Sequence, residues 1–187
     1  MKTPAPASET EPYAGIEVLT ALEAACHYNA MILRLIERHA GHARRLLDFG
    51  AGLGTFARLL RARNRAVICV EQDRALLRRL QGDGFETHAG LADVADASVE
   101  FAFSLNVLEH LPNDGRTLAE LATKVIPGGT IFVYVPAFSW LWTSLDRRLG
   151  HMRRYTRSSL VMTAQARDLE VIASGYADSF GIVAVIL

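Results

Sequence analysis

From Pro12 onward, apolar and polar positions alternate with two different periods, as strands interleaved with helices require. Ala25, Tyr28, Ile32, Leu35 and Ile36 recur at spacings of three and four, which places them on one buried helical face that Gly41 ends. Arg45–Phe49 then reads as a first strand running into a glycine loop, and Phe56, Leu59 and Leu60 mark a helix with Arg58, Arg61 and Arg63 on its other face. The unit repeats. Ala66–Val70 is a β-branched run, Asp73 is placed to cap a helix bearing Leu76, Leu77 and Leu80, and Gly82, Asp83 and Gly84 close it. Residues 85–89 give a weak third strand and Val99–Leu105 a fourth. Leu118, Leu121 and Val125 face inward from a helix, Pro127, Gly128 and Gly129 turn the chain into a fifth strand over 130–135, and 169–173 reads as a sixth. The pattern predicts an α/β fold, a Rossmann-like doubly wound and mostly parallel sheet with helices on both faces.

In such a sheet ligands bind at the carboxyl ends of the strands, so the chemistry belongs just after each strand. Three of those positions carry informative residues: the loop LLDFGAGLG with Asp48, Gly50, Ala51 and Gly52, the acid Glu71, and the run from Asn106 to His110. Glycines remove each Cβ where a strand turns into a helix, so backbone can approach a ligand closely. Glu71 lies 71 − 48 = 23 residues after Asp48, where a carboxylate can accept both hydroxyls of a ribose. The glycines follow GxGxG with an acid before the first, not the GxGxxG of a dinucleotide site. Asp48 would repel a pyrophosphate and attract an ammonium or sulfonium group. The reading is a nucleoside with a cationic centre.

Composition narrows the picture only a little. The 187 residues suit one domain, expected over 13–187 after a disordered leader over 1–12 that is rich in proline and lacks the apolar run of a secretory signal. Basic and acidic residues number 20 each, so the chain as a whole lacks the positive field that holds nucleic acid, and no nucleic-acid partner is expected. No stretch reaches the roughly 18 apolar residues of a membrane span, which makes a cytoplasmic protein the expectation. Cys26 and Cys69, far apart within apolar stretches, read as buried thiols of a reducing compartment.

Taken together, LLDFGAGLG, the VICVEQD run, SLNVLEHL and the PGG turn resemble the class I S-adenosylmethionine-dependent methyltransferases, in the broad group called methyltransferase type 11, 12 or 23, over roughly residues 25 to 175. The resemblance implies S-adenosylmethionine as cofactor and a small-molecule methyl acceptor. It assigns Asp48 to the methionine end of the cofactor, Gly50, Ala51 and Gly52 to the close-approach turn, Glu71 to the ribose, and Gln72 and Leu91 to the adenine. Asn106 and Tyr28 fall where relatives reach the methionine moiety. His110 and His151 are the candidate catalytic groups, since histidine is the usual proton acceptor near neutral pH. Some relatives hold a metal through E-x-x-E-H. Here Asn106 replaces the first acid, and Glu109 with His110 are only two ligands, so no metal is expected.

Five arginines, Arg147, Arg148, Arg153, Arg154 and Arg157, crowd eleven residues with Asp146 as their one acid. Arg153, Arg154 and Tyr155 are therefore candidate substrate residues for an anionic acceptor, against the alternative of a solvated loop with ion pairs. The resemblance also implies a seventh, antiparallel strand inserted between the fifth and sixth. Few residues remain for it, so the sequence reads as C-terminally incomplete with that strand missing. On this reading GIVAVIL, with Gly181 and Leu187 at its ends, is a cap or a self-association segment. Two other classes stay open: a nicotinamide-dependent oxidoreductase, and a non-catalytic S-adenosylmethionine-binding protein.

Overall fold

The computed structural model describes residues 15–177 and 182–186. The leader over 1–12 and the two ends of GIVAVIL, Gly181 and Leu187, lie outside the described residues. Helices α1 (Ile16–Ala24) and α2 (Cys26–Ala40) precede β1 (Arg45–Phe49). Then come α3 (Thr55–Arg61), β2 (Ala66–Val70), α4 (Arg74–Gly82), β3 (Glu86–His88), β4 (Val99–Leu105), α5 (Asp114–Lys124) and β5 (Val125–Pro136). The chain continues through α6 (Ser144–Leu149), α7 (Arg157–Gln165), β6 (Ala173–Tyr176) and β7 (Ile182–Ile186).

The seven strands form one sheet in the order β3-β2-β1-β4-β5-β7-β6. Pairings among β1 to β5 are parallel, and β7 is antiparallel to both of its neighbours. The predicted α/β class is therefore borne out. Period-two alternation sends neighbouring strand residues to opposite faces. Leu46, Cys69, Phe101, Phe103, Phe132 and Tyr134 pack under α2, α3 and α4. Leu47, Ile68, Val70, Ala102, Ile131 and Val133 pack under α5 and α7. Phe101, Phe103 and Phe132 are almost wholly buried, each a contribution of about 1.5–3 kcal/mol through lost contact with water.

Local chemistry sets the joints. Asp73 caps α4 by accepting from the amides of Ala75 and Leu76. Gly129 sits where a Cβ would meet Val125 Cγ1 at 2.4 Å and the Glu100 carbonyl at 2.6 Å, which is why the turn into the long inner part of β5 demands glycine. Thr143 and Asp146 form a reciprocal capping box on α6.

Four expectations change. The seventh strand is not missing: Ile182–Ile186 pairs with β5 on one side and β6 on the other, so within the described residues this segment is neither a helical cap nor free to pair with a second molecule. The sixth strand is Ala173–Tyr176, because the apolar residues Leu169 and Val171, which suggested it earlier, are spent packing against the core as irregular chain. Val125 opens β5 and does not belong to the helix before it. Cys69 is buried as expected, but Cys26 is exposed at the first position of α2. Among the described residues no helix is long and apolar enough to cross a membrane.

Candidate functional site

Strand order reverses between β1 and β4, and the loops after these strands diverge to leave a cavity of about 350 Å³ at their carboxyl ends. β1 brings Asp48 to its wall, followed by Gly50, Ala51 and Gly52. β2 brings Glu71 and Gln72, and β4 brings Asn106 and Val107. The loop is fixed by its backbone, since the amides of Gly50 and Ala51 both donate to the Val70 carbonyl, at 2.9 and 3.1 Å. Gly50 has φ +81°, and a Cβ there would stand 2.3 Å from Val107 Cγ2, so close approach and backbone conformation both require glycine. Asn106 also takes a positive φ, 53°, with its amide donating to the Tyr134 carbonyl at 2.7 Å.

Four carboxylate residues line this cavity, Glu23, Asp48, Glu71 and Asp73, and two of them sit at the ends of β1 and β2. Glu71 is held by two backbone amides, Gly52 N donating to Oε2 at 2.8 Å and Asp73 N to Oε1 at 2.9 Å, which aims it while each oxygen keeps further acceptor capacity. Asp48 is nearly fully buried, and burial followed by the nearby Glu71 charge pushes its carboxyl well above the usual carboxylate range. A cationic group bound here would relieve both effects.

Helix α1 supplies a wall that the sequence reading missed. Leu19, Leu22 and Glu23 line the cavity beside the glycine loop. Buried Asn29 holds α1 by donating to the carbonyls of Leu22 (2.8 Å) and Glu23 (3.1 Å). Glu23 pairs with Arg58, which also donates to the Leu53 carbonyl at 2.7 Å and to Asp83 at 3.0 Å. The one signal for this wall was the three-residue recurrence of Val18-Leu19 and Leu22 ahead of the first recognised helix. Tyr28 lines the cavity, edge-on to Tyr134 with ring centroids 6.3 Å apart. Leu91 does not line it: the side chain is buried in the core, and Ala89 and Gly90 form that part of the wall.

At another edge of the cavity stands His110. His151, 41 residues later in the chain, packs edge-on against it with ring centroids 4.6 Å apart. His151 Nδ1 lies 2.8 Å from Asp146 Oδ1. Burial alone would raise Asp146, but hydrogen bonds from Arg154, Thr143 and His151 overcome it and hold the carboxyl well below its ordinary value. Burial, and then His151, lowers the His110 imidazole. Glu109 is fully buried, and burial pushes its carboxyl up to about 8.

Two arginines of the run are spent internally, while Arg147, Arg148 and Arg157 are exposed. Arg153 pairs with Asp114 at 2.9 Å and donates to the Pro112 carbonyl. Arg154 forms a two-pronged pair with Asp146, at 2.8 and 2.9 Å, and donates to the Ala137 carbonyl. Tyr155 is buried and donates to Asp114 at 2.8 Å. None of the three lines the cavity, so the structure uses them to fasten the segment after β5 onto the sheet.

A methyltransferase-domain family model matches residues 21–174. A methyltransferase of Aspergillus aculeatus, AacuQ, is 33% identical over 113 residues, covering 54% of this chain and 36% of its own length. A methyltransferase of Claviceps purpurea is 35% identical over 107 residues, covering 53% of this chain and 33% of its own. The chain spans about a third of the length of the curated relatives it matches. Among solved structures, a Burkholderia thailandensis 1,6-didemethyltoxoflavin-N1-methyltransferase with bound 1,6-didemethyltoxoflavin and S-adenosylhomocysteine superposes with a TM-score of 0.68 at 17% identity, over 98% of this chain and 92% of that one. The methyltransferase solved with the Haloferax volcanii Trm112 methyltransferase activator reaches 0.76 at 15% identity, over 94% and 96%. At these identities the two structures share the fold.

Proposed function

The chain belongs to the methyltransferase-domain family, and on that premise we propose that it transfers a methyl group from S-adenosylmethionine to a small-molecule acceptor. The observation that carries this reading is the pairing of Asp48 with Glu71 on one cavity beside a backbone that tolerates close approach. The buried, partly uncompensated acid at Asp48 fits the cationic methionine end of that cofactor, and the amide-anchored Glu71 fits its ribose hydroxyls. Gln72, Ala89 and Gly90 lie where the adenine would follow, while Tyr28 and Asn106 border the methionine end. The cofactor supplies an already activated methyl group on a sulfonium.

What the protein must add is placement. Holding the acceptor in line with that methyl group contributes roughly 7–11 kcal/mol through proximity. We place the acceptor against His110, which lines the cavity, with His151 behind it. An anionic acceptor draws no support from Arg153 and Arg154, whose charges are already paired.

The test is calorimetric titration of the full chain with S-adenosylhomocysteine and, separately, with NAD. Glu71→Ala should weaken S-adenosylhomocysteine at least about tenfold through loss of charged hydrogen bonds worth roughly 1.5–3 kcal/mol. An unchanged affinity, or tighter binding of NAD, would remove the cofactor assignment. Incorporation of labelled methyl into candidate acceptors then separates an enzyme from a binding protein.

A further inference from the structure

The edge of the sheet opposite the candidate site carries a second, smaller cavity. It has a volume of about 200 Å³ and lies where β1, β2 and β3 begin, lined by Arg45, Ala66 and Glu86 from the strand starts, by Arg61 at the end of α3, by Arg65 before β2, and by Phe85. Three arginines thus converge on one small space, in a chain whose basic and acidic residues balance at 20 each. Arg45 is answered by Glu86, at 3.2 and 3.0 Å to its two oxygens. Arg61 and Arg65 form no ion pair among the described residues. Glu100, whose charge reaches Arg65, is taken up by the backbone amides of Arg44 and Arg45.

What holds these two arginines is neutral. Arg61 lies over the Phe85 ring, with Cζ 4.0 Å from its centroid, and donates to the Asp83 carbonyl at 2.6 Å. Arg65 donates to the carbonyls of Ala43 and Gly41, the latter at 2.6 Å. Ring and carbonyls fix the guanidiniums without cancelling their charge, and each group, with five N–H donors, keeps others beyond those bonds. We propose that this cavity binds a single phosphate group, on inorganic phosphate or on a small phosphate ester, through Arg61 and Arg65. Two fixed guanidinium forks match the oxygens of such an anion. The volume falls below the roughly 300–1,000 Å³ of pockets that enclose whole ligands, so it suits the phosphate alone, with the rest of an ester outside.

Glu86 sets the affinity, because its carboxylate lines the same cavity, repels an anion there and occupies Arg45. Removing that charge frees a third guanidinium. β1 and β2, five residues each, run from this cavity toward Asp48 and Glu71, which puts roughly 15 Å between the two sites. Phosphate and S-adenosylhomocysteine therefore bind side by side, not in competition. Phosphate binding stands independently of methyl transfer and is measured without an acceptor.

The experiment is titration of the full chain with inorganic phosphate at low ionic strength, followed by calorimetry and phosphorus NMR and repeated with phenyl phosphate. One phosphate per chain is expected, undisturbed by saturating S-adenosylhomocysteine and weakened by added sodium chloride. Phenyl phosphate binding as tightly assigns the site to esters as well, whereas its exclusion assigns it to the free ion. Arg61→Gln should weaken phosphate about fivefold or more, the scale of a lost hydrogen bond to a charged group at a partly exposed position. Glu86→Gln should tighten it at least about threefold, a gain that a folding defect cannot imitate. Circular dichroism and the unfolding midpoint check that both variants are folded. No saturable binding, an affinity that neither substitution changes, or displacement of phosphate by S-adenosylhomocysteine overturns the proposal.

Discussion

At Asp48 the fold buries a carboxylate beside a second one, and the sign of the resulting pH dependence follows from which state holds the proton. The folded pKa lies above the ordinary value of 3.8, so between that value and the folded pKa the folded chain binds more protons than the unfolded one. Ligand-free stability therefore falls as pH rises through this window, and Asp48→Asn removes the loss. The variant should be more stable than the parent at neutral pH, with the difference vanishing below pH 3.8, as thermal or urea unfolding without ligand would show. Binding runs the other way. Charging Asp48 strengthens its attraction for a cation, so affinity for S-adenosylmethionine should rise with pH in the parent and stay low and flat in Asp48→Asn. A variant whose stability and affinity both track the parent would separate Asp48 from the ligand.

Among the elements, α1 makes the cavity a pocket instead of an open groove, and it is secured by few contacts. Glu23 and Arg58 are each less than about one-third exposed, so their attraction is only partly screened. A double-mutant cycle on S-adenosylhomocysteine affinity with Glu23→Gln and Arg58→Ala should return a coupling of about 0.5–1 kcal/mol. A coupling of zero would mean that α1 is placed by Asn29, apolar contact and the longer pairs of Glu23 with Arg79 and Glu17 with Arg148. Sequence periodicity signals this helix only faintly, because Ile16, Val18, Leu19, Ala21 and Leu22 leave a narrow polar face from which to read a period. β1, β2 and β4 were legible to the residue, since each is a short apolar run bounded by turn residues. β6 was misread for the opposite reason: its residues ASGY are small and partly polar, while the apolar run before it packs without joining the sheet. Contacts between segments distant along the chain were invisible in principle. Asp114 takes up Arg153, and His151 comes to rest on His110, only once the segment after β5 folds back, whereas Asp146 meets Arg154 within that segment, eight residues away.

For the whole molecule, the sheet is closed by its last strand in sequence, which lies between two strands made earlier. β6 is hydrogen-bonded to the sheet only through β7. Ending the chain before Ile182 should therefore detach β6 and bare the edge of β5, and light scattering should detect self-association where the full chain scatters as a smaller species. A truncated chain that stayed as small as its parent, with the same unfolding midpoint, would show that the insertion is dispensable. The same strand order sets a timetable. During synthesis β6 leaves the ribosome 186 − 176 = 10 residues ahead of the end of the strand that must hold it, an interval of about 0.5–2 s at ordinary elongation rates. Throughout that interval β1 to β5 can already be assembled in the order they were made, while the far edge waits. The strand order thus leaves one border of β5 open to pairing until Ile182–Ile186 is available, after the loops around the cavity have been made.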